Sequence, residues 1–237
     1  LMPLEMEKRF RGLWQNDDDE GGKNMHEGAF LADQIKRSLR KDCKFSYNKI
    51  LTYDDGKALN EQVNNLLQNE FNAIVYNFVD MLSHARTDMQ MIRELANDDA
   101  AYRSLTLSWF EHSPLMDLLK KISQKNVKLI ITTDHGTIRV KHPSKVIGDR
   151  NTNTNLRYKQ GRNLNFNAKE VFLIKNPHEA QLPKINISSN YIFAKEDRYF
   201  VYQNNYNQFV NYYNETFQHG GISLEEMIIP IATYSSR

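Results

Sequence analysis

The chain has one cysteine in 237 residues, so an internal disulfide is excluded. Lone Cys43 fits a reducing compartment, and the expected location is cytoplasmic. Charge of one sign is lacking too. With 31 Lys and Arg against 29 Asp and Glu, the net charge is +2. No overall field marks the chain for nucleic acid or a membrane surface. No apolar run approaches the roughly 20 residues of a membrane span, and residues 1–11, short and charge-rich, do not read as a signal peptide. There is no internal repeat. No His-Glu-x-x-His occurs, which leaves a metalloprotease poorly supported.

What is present is globular. Hydrophobic residues make up 40% and charged residues 25%, enough apolar surface for one large domain or one and a half small ones. The acidic run Asp17-Asp18-Asp19-Glu20, followed by Gly21-Gly22, reads as a solvated loop. Helical spacing of apolar residues appears over 30–39 and 58–67, then over 88–96 and 101–123 with a break near Pro114. Two short apolar, β-rich runs, 73–79 and 127–133, predict strands buried on both faces. Each ends in a carboxylate and a histidine: Asp80 with His84, and Asp134 with His135. Strand, helices and strand alternate, which predicts an α/β fold with a largely parallel central sheet flanked by helices. Polar site residues of such folds gather at the carboxyl ends of the strands.

Beyond Gly136 the sequence turns basic. Residues 139–162 carry Lys141, Lys145, Arg150, Arg157, Lys159 and Arg162 against a single acid, Asp149. Strands are expected over 170–174, 190–194 and 199–202, a helix over 206–216, and a closing strand over 227–232. Residues of about 138–205 thus form a small, basic, strand-rich insertion.

Five side chains stand out by position: Asp80, His84, Asp134, His135 and His219. Carboxylate oxygens and imidazole nitrogens are the donors Zn²⁺ accepts where a coordination position stays open for substrate. The i, i+4 spacing of Asp80 and His84 suits one face of a helical turn. Asp134 and His135 are adjacent and need an irregular loop, for which Gly136 supplies backbone freedom; Gly220 and Gly221 do the same beside His219. Each element alone is weak, since Asp-His-Gly is usually a turn. Jointly they are stronger, because all adjoin predicted strands. His26, His112, His142 and His178 lack that context and read as surface or loop residues.

The order Asp-x-x-x-His, Asp-His-Gly and a late His-Gly resembles the alkaline-phosphatase superfamily. Four segments carry a closer resemblance: Asn77-Phe78-Val79-Asp80, Thr132-Thr133-Asp134-His135-Gly136, Thr154-Asn155-Leu156-Arg157-Tyr158 and His219-Gly220-Gly221-Ile222-Ser223-Leu224-Glu225-Glu226. Over essentially the whole chain they look like the PglZ domain, and more narrowly the output domain of PorX-type response regulators of Bacteroidota. The resemblance implies two zinc ions, one held by Asp80, His84 and His219, the other in part by Asp134 and His135. It implies a phosphohydrolase or phosphodiesterase acting on nucleotides or oligonucleotides, tied to type IX secretion, with a receiver domain and helical linker ahead of it and a sensor kinase as partner. A homodimer is left open. The family's threonine nucleophile and one acidic ligand lie upstream of a segment resembling Leu1-Met2-Pro3. The chain is therefore expected to be the carboxyl-terminal portion of the domain, with little activity alone. Thr132, Thr133 and Thr137 take no nucleophilic role in the family pattern. Arg157 and Arg162, with Lys145 behind them, are the expected phosphate contacts, and Tyr158 is a candidate for stacking on a base. The alternative is a catalytically silent, metal-binding signalling module that works by protein–protein interaction.

Overall fold

A computed structural model describes residues 1–14, 25–96, 98–149, 152–184 and 186–235. The acidic run at 17–20 and Arg150 lie outside the described residues, as does the side chain of His84. The chain divides into two compact units. One comprises Leu1–Arg11 with Ile131–Ala232, the other Gly12–Ile130 with Thr233–Arg237.

Helix α1 (Pro3–Arg9) opens the first unit, with Pro3 at a first-turn position where its missing N–H is no loss. The second unit follows with α2 (Glu27–Leu39), β1 (Phe45–Ile50), α3 (Tyr53–Glu61), α4 (Val63–Leu66), β2 (Phe71–Tyr76), α5 (Phe78–Asp88), α6 (Gln90–Leu95), α7 (Asp99–His112), α8 (Pro114–Ser123) and β3 (Lys128–Thr132), the last strand running on into the first unit. Its helix starts are written locally. Thr52 and Asp55 form a reciprocal capping box on α3. Asp98 caps α7, and Ser113 caps α8 ahead of Pro114. Strands β1 and β2 pair in parallel, and Ser46 Oγ donates to Asn72 Oδ1 across them at 2.8 Å. Beneath them Ile50, Leu59, Leu66 and Leu118 form a buried cluster with Ile74 and Tyr76 against it.

The first unit resumes with β4 (Ile138–Arg139), β5 (His142–Val146), β6 (Tyr158–Gly161), β7 (Val171–Ile174), a 3₁₀ turn (Pro177–Ala180), β8 (Asn190–Ala194), β9 (Arg198–Tyr202), α9 (Tyr206–Tyr213), β10 (Phe217–Gln218), α10 (Leu224–Met227) and β11 (Ile231–Ser235), which crosses the second boundary between the units. Strand β8 lies between β6 and β7, antiparallel to both, and β5 pairs with β9 in parallel. Strand β9 serves two cores, because alternate side chains point to opposite faces. Tyr199 and Val201 pack with Ile138 and Val140, while Phe200 joins Val146, Val171, Ile192 and Ala194.

The chain is α/β, but among the described residues its strands form separate sheets of two or three strands rather than one largely parallel central sheet. The two strands expected to be buried on both faces differ from that reading. Strand β2 stops at Tyr76, so Phe78 and Val79 begin α5 instead. In β3, which pairs with β11, Ile130 is 55% exposed. A two-stranded sheet has no inner strand, so neither partner is enclosed laterally. Residues 227–232 also divide differently: Met227 ends α10 and the strand begins at Ile231.

Candidate metal site

In the second unit, Asp80 sits in the first turn of α5 and His84 one turn further along the same helix. Helix α7 holds this turn in place. Phe78 stacks on Trp109 with ring centroids 3.9 Å apart, and Tyr102 donates its hydroxyl to the Val79 carbonyl at 3.2 Å. Ser83 and Tyr102 share a buried hydroxyl–hydroxyl contact at 2.8 Å.

In the first unit, a two-residue ladder sets the other ligand candidates side by side. Strands β4 and β10 are antiparallel, with Gln218 opposite Ile138. Running back from Ile138, the chain reaches Gly136 and His135. Running on from Gln218, it reaches His219. The two imidazoles stack, with centroids 4.1 Å apart and planes 13° from parallel. With Asp134, Gly220, Gly221, Glu226 and Met227 they line an open cleft of about 340 Å³.

The loop chemistry prepares these donors. His135 Nδ1 lies 3.0 Å from the Gly136 carbonyl. A carbonyl oxygen only accepts, so the proton belongs on Nδ1 and the lone pair on Nε2. A hydrogen bond of that kind fixes the tautomer a metal ligand needs. Asp134 Oδ1 accepts the His135 amide at 3.0 Å, and its carboxylate is otherwise largely exposed. Thr133 donates to the His135 carbonyl and Thr132 to that of Pro230, so both hydroxyls serve the loop backbone.

The glycines act differently from one another. Gly136 is needed for space, since a Cβ there would lie 2.0 Å from the Glu225 carbonyl oxygen. Gly220 is needed for conformation, with φ at +98°. Gly221 packs against the Glu226 carboxylate and the Arg157 guanidinium.

Arg157 is not placed to grip a substrate phosphate. Its side chain is fully buried: Nε and Nη2 donate to the two Glu226 oxygens at 2.9 and 2.8 Å, Nη2 also to the Glu196 carbonyl, and Nη1 to that of Arg198. Other members of the basic segment are likewise committed. Lys159 is buried over the Tyr202 ring with Nζ on the Asn153 carbonyl, and burial pushes it down to about 8. Arg139 pairs with Glu215. Tyr158 is half-buried in an aromatic row with Tyr191 and Phe193. Lys145 is exposed on β5, and Arg162 is half-exposed with Asp149 at 3.5 Å. Neither is among the residues lining the cleft.

Glu226 is the residue that sequence reasoning passed over. The available signal was Ser-x-x-Glu one residue beyond His-Gly-Gly, a capping box. In the structure Ser223 and Glu226 cap α10 reciprocally.

These features belong to an alkaline-phosphatase-like domain: residues 1–234 match the family model described as the BREX system PglZ alkaline phosphatase-like domain. The chain is a member of the PglZ family, and that membership points to a phosphohydrolase-type function. No curated protein matches it. No helix among the described residues is long and apolar enough to cross a membrane.

Proposed function

We propose that the chain is the zinc-binding domain of a phosphohydrolase that cleaves phosphodiesters in nucleotides or oligonucleotides. It works in the cytoplasm as the output domain of a two-component response regulator that controls type IX secretion. Asp80, His84 and His219 are assigned to one zinc, and Asp134 and His135 to a second. The observation that carries the reading is the stacked pair His135 and His219 beside Asp134 in one cleft of a PglZ-family chain.

The donors suit the ion. Zinc takes imidazole nitrogen and carboxylate oxygen, and the Nδ1 contact of His135 leaves Nε2 as its donor. Bound there, zinc supplies Lewis acidity that offsets phosphoryl charge and lowers the pKa of a coordinated hydroxyl or water. The chain's own part is to orient these donors. Lys145 and Arg162 keep the proposed role of phosphate contacts because both are exposed, although neither lines the cleft. The regulatory assignment rests on the four segments that resemble PorX-type output domains.

The test is zinc content after exhaustive dialysis, together with turnover of bis(p-nitrophenyl) phosphate and short oligonucleotides, with and without chelator. We expect retained zinc, closer to one ion than two per chain, and only weak hydrolysis by this chain alone, which chelator abolishes. Retained zinc without hydrolysis would favour the silent signalling module. A chain that retains no zinc would sink the metal assignment.

A further inference from the structure

We infer that Glu226, clamped by Arg157, is a positioning residue that sets the His135 and His219 loops against each other. The inference rests on the zinc reading above for what those histidines hold. Glu226 reaches the two loops through different atoms. Its backbone carbonyl accepts the Gly136 amide at 2.9 Å, next to His135. Its Oε1 accepts the Gly221 amide at 2.9 Å, two residues after His219. One residue therefore ties both ligand-bearing loops.

The carboxylate is saturated. Besides Gly221, it receives the Ser223 amide at 3.1 Å and two donors from Arg157. Four donors fill the roughly four acceptor sites a carboxylate offers. Glu226 lines the cleft, yet it has no acceptor left for a metal, so its role is support. Arg157 is fixed in turn by the carbonyls of Glu196 and Arg198, which flank the start of β9. The Asn155 side chain accepts the amides of Arg157 and Tyr158 and occupies the space beside Gly220, where a Cβ would come within 2.9 Å. The Thr154-Asn155-Leu156-Arg157-Tyr158 segment is thus the floor beneath His219-Gly220-Gly221, which gives that motif a use other than substrate binding.

Groups of this kind behind a metal ligand typically change metal affinity about 10- to 100-fold when altered. Two variants of the full chain test the inference. Glu226→Gln removes the charge, and the double variant Arg157→Met with Glu226→Met removes the pair without stranding a buried ion. We expect folded protein by circular dichroism, with Zn²⁺ affinity about 10- to 100-fold weaker in competition with a chromophoric chelator. The ring resonances of His135 and His219 should both move, while those of His142 and His178 stay. Zn²⁺ affinity within about twofold of the parent and unmoved rings, in a folded variant, would overturn the inference. Should both variants unfold, the parent chain decides by hydrogen exchange. The Gly136 and Gly221 amides are expected to be as protected as those of β9, and rapid exchange at either would overturn the inference. A parent chain that binds no Zn²⁺ defeats the zinc reading separately, and the ring resonances and amide protection then decide the positioning.

Discussion

His135 and His219 lie face to face, their ring centroids 4.1 Å apart and their planes 13° from parallel. The pair is therefore expected to act as one element. His219→Ala should weaken zinc binding roughly 100-fold, because it removes one of the three ligands assigned to that ion and zinc sites usually need at least three. His135→Ala, a ligand of the other ion, should weaken it less, through the lost stacking. The two losses should couple by more than about 0.5 kcal/mol in a double-mutant cycle, since the rings touch. His142→Ala, on a ring paired with Asp197 instead, is the control and should leave affinity unchanged. Strictly additive losses would show that the stacking has no energetic role.

Two glycine substitutions should act in opposite directions. Gly136→Ala puts a methyl group 2.0 Å from a backbone oxygen, which cannot rotate away. A loss of about 3 kcal/mol is expected, as for other forced core clashes. Gly28 lies in the first turn of α2, where a Cβ would meet the Tyr47 ring at 3.4 Å, an ordinary contact. Gly28→Ala should stabilise the chain by about 0.5 kcal/mol, largely by restricting the unfolded state. Thermal melts of both variants check this. A neutral Gly136→Ala would mean that the loop relaxes without strain.

Glu226 gives stability a defined acid limit. Burial alone raises its pKa, but hydrogen bonds and charge from Arg157, followed by the Gly221 and Ser223 amides, outweigh it and leave the carboxyl below its usual 4.5. Its contribution is complete above the unfolded value and is lost as pH falls through the lower folded value. Urea midpoints should therefore fall off below about pH 4.5. The fall should be shallower in the Arg157→Met, Glu226→Met variant. Identical acid profiles for the two proteins would contradict the assignment.

Lys159 acts at the other end of the scale, with the opposite sign. Burial lowers it from 10.5 to about 8. Between those values the unfolded chain holds a proton that the folded chain has released, so stability rises with pH. Urea midpoints between about pH 8 and 9.5 should climb in the parent and stay level in Lys159→Met. A level parent profile would show that the Asn153 carbonyl and the Tyr202 ring keep the ammonium charged.

Much of this was legible in the chain itself, and the limits have physical causes. The break at Pro114 separates α7 from α8 because proline suits a first turn and not an interior. Strand β8 falls where its apolar run predicts it. Strand β1, Phe-Ser-Tyr-Asn-Lys-Ile, escaped notice because polar side chains that bond across strands interrupt its apolar pattern. Asp134, His135 and His219 read as site residues from their strand-end and glycine contexts, and the cleft contains all three. Arg157 was misread because charge count in a basic segment cannot distinguish a cation facing water from one held by a carboxylate 69 positions away. The same long-range pairing hid Glu226.

The parallel pairing of β5 with β9 carries a kinetic consequence. Residues 147–197 lie between the two strands, and they contain the entire β6-β8-β7 sheet. Closing a loop of that length early would cost chain entropy before any contact repaid it. The antiparallel β7–β8 ladder spans a much shorter loop and should form first, drawing the ends of the larger loop together. Phe200 and Val146 would then meet late, so the cluster they share with Val171 and Ile192 marks the end of folding in this unit. Pulse-labelled hydrogen exchange should show β8 amides protected before those of β9, and simultaneous protection would refute that order. A chain whose last step seats β9 also seats Arg157 last, because the Arg198 carbonyl at the head of that strand is one of its anchors. The cleft would then acquire its final shape only when the rest of the unit is already built.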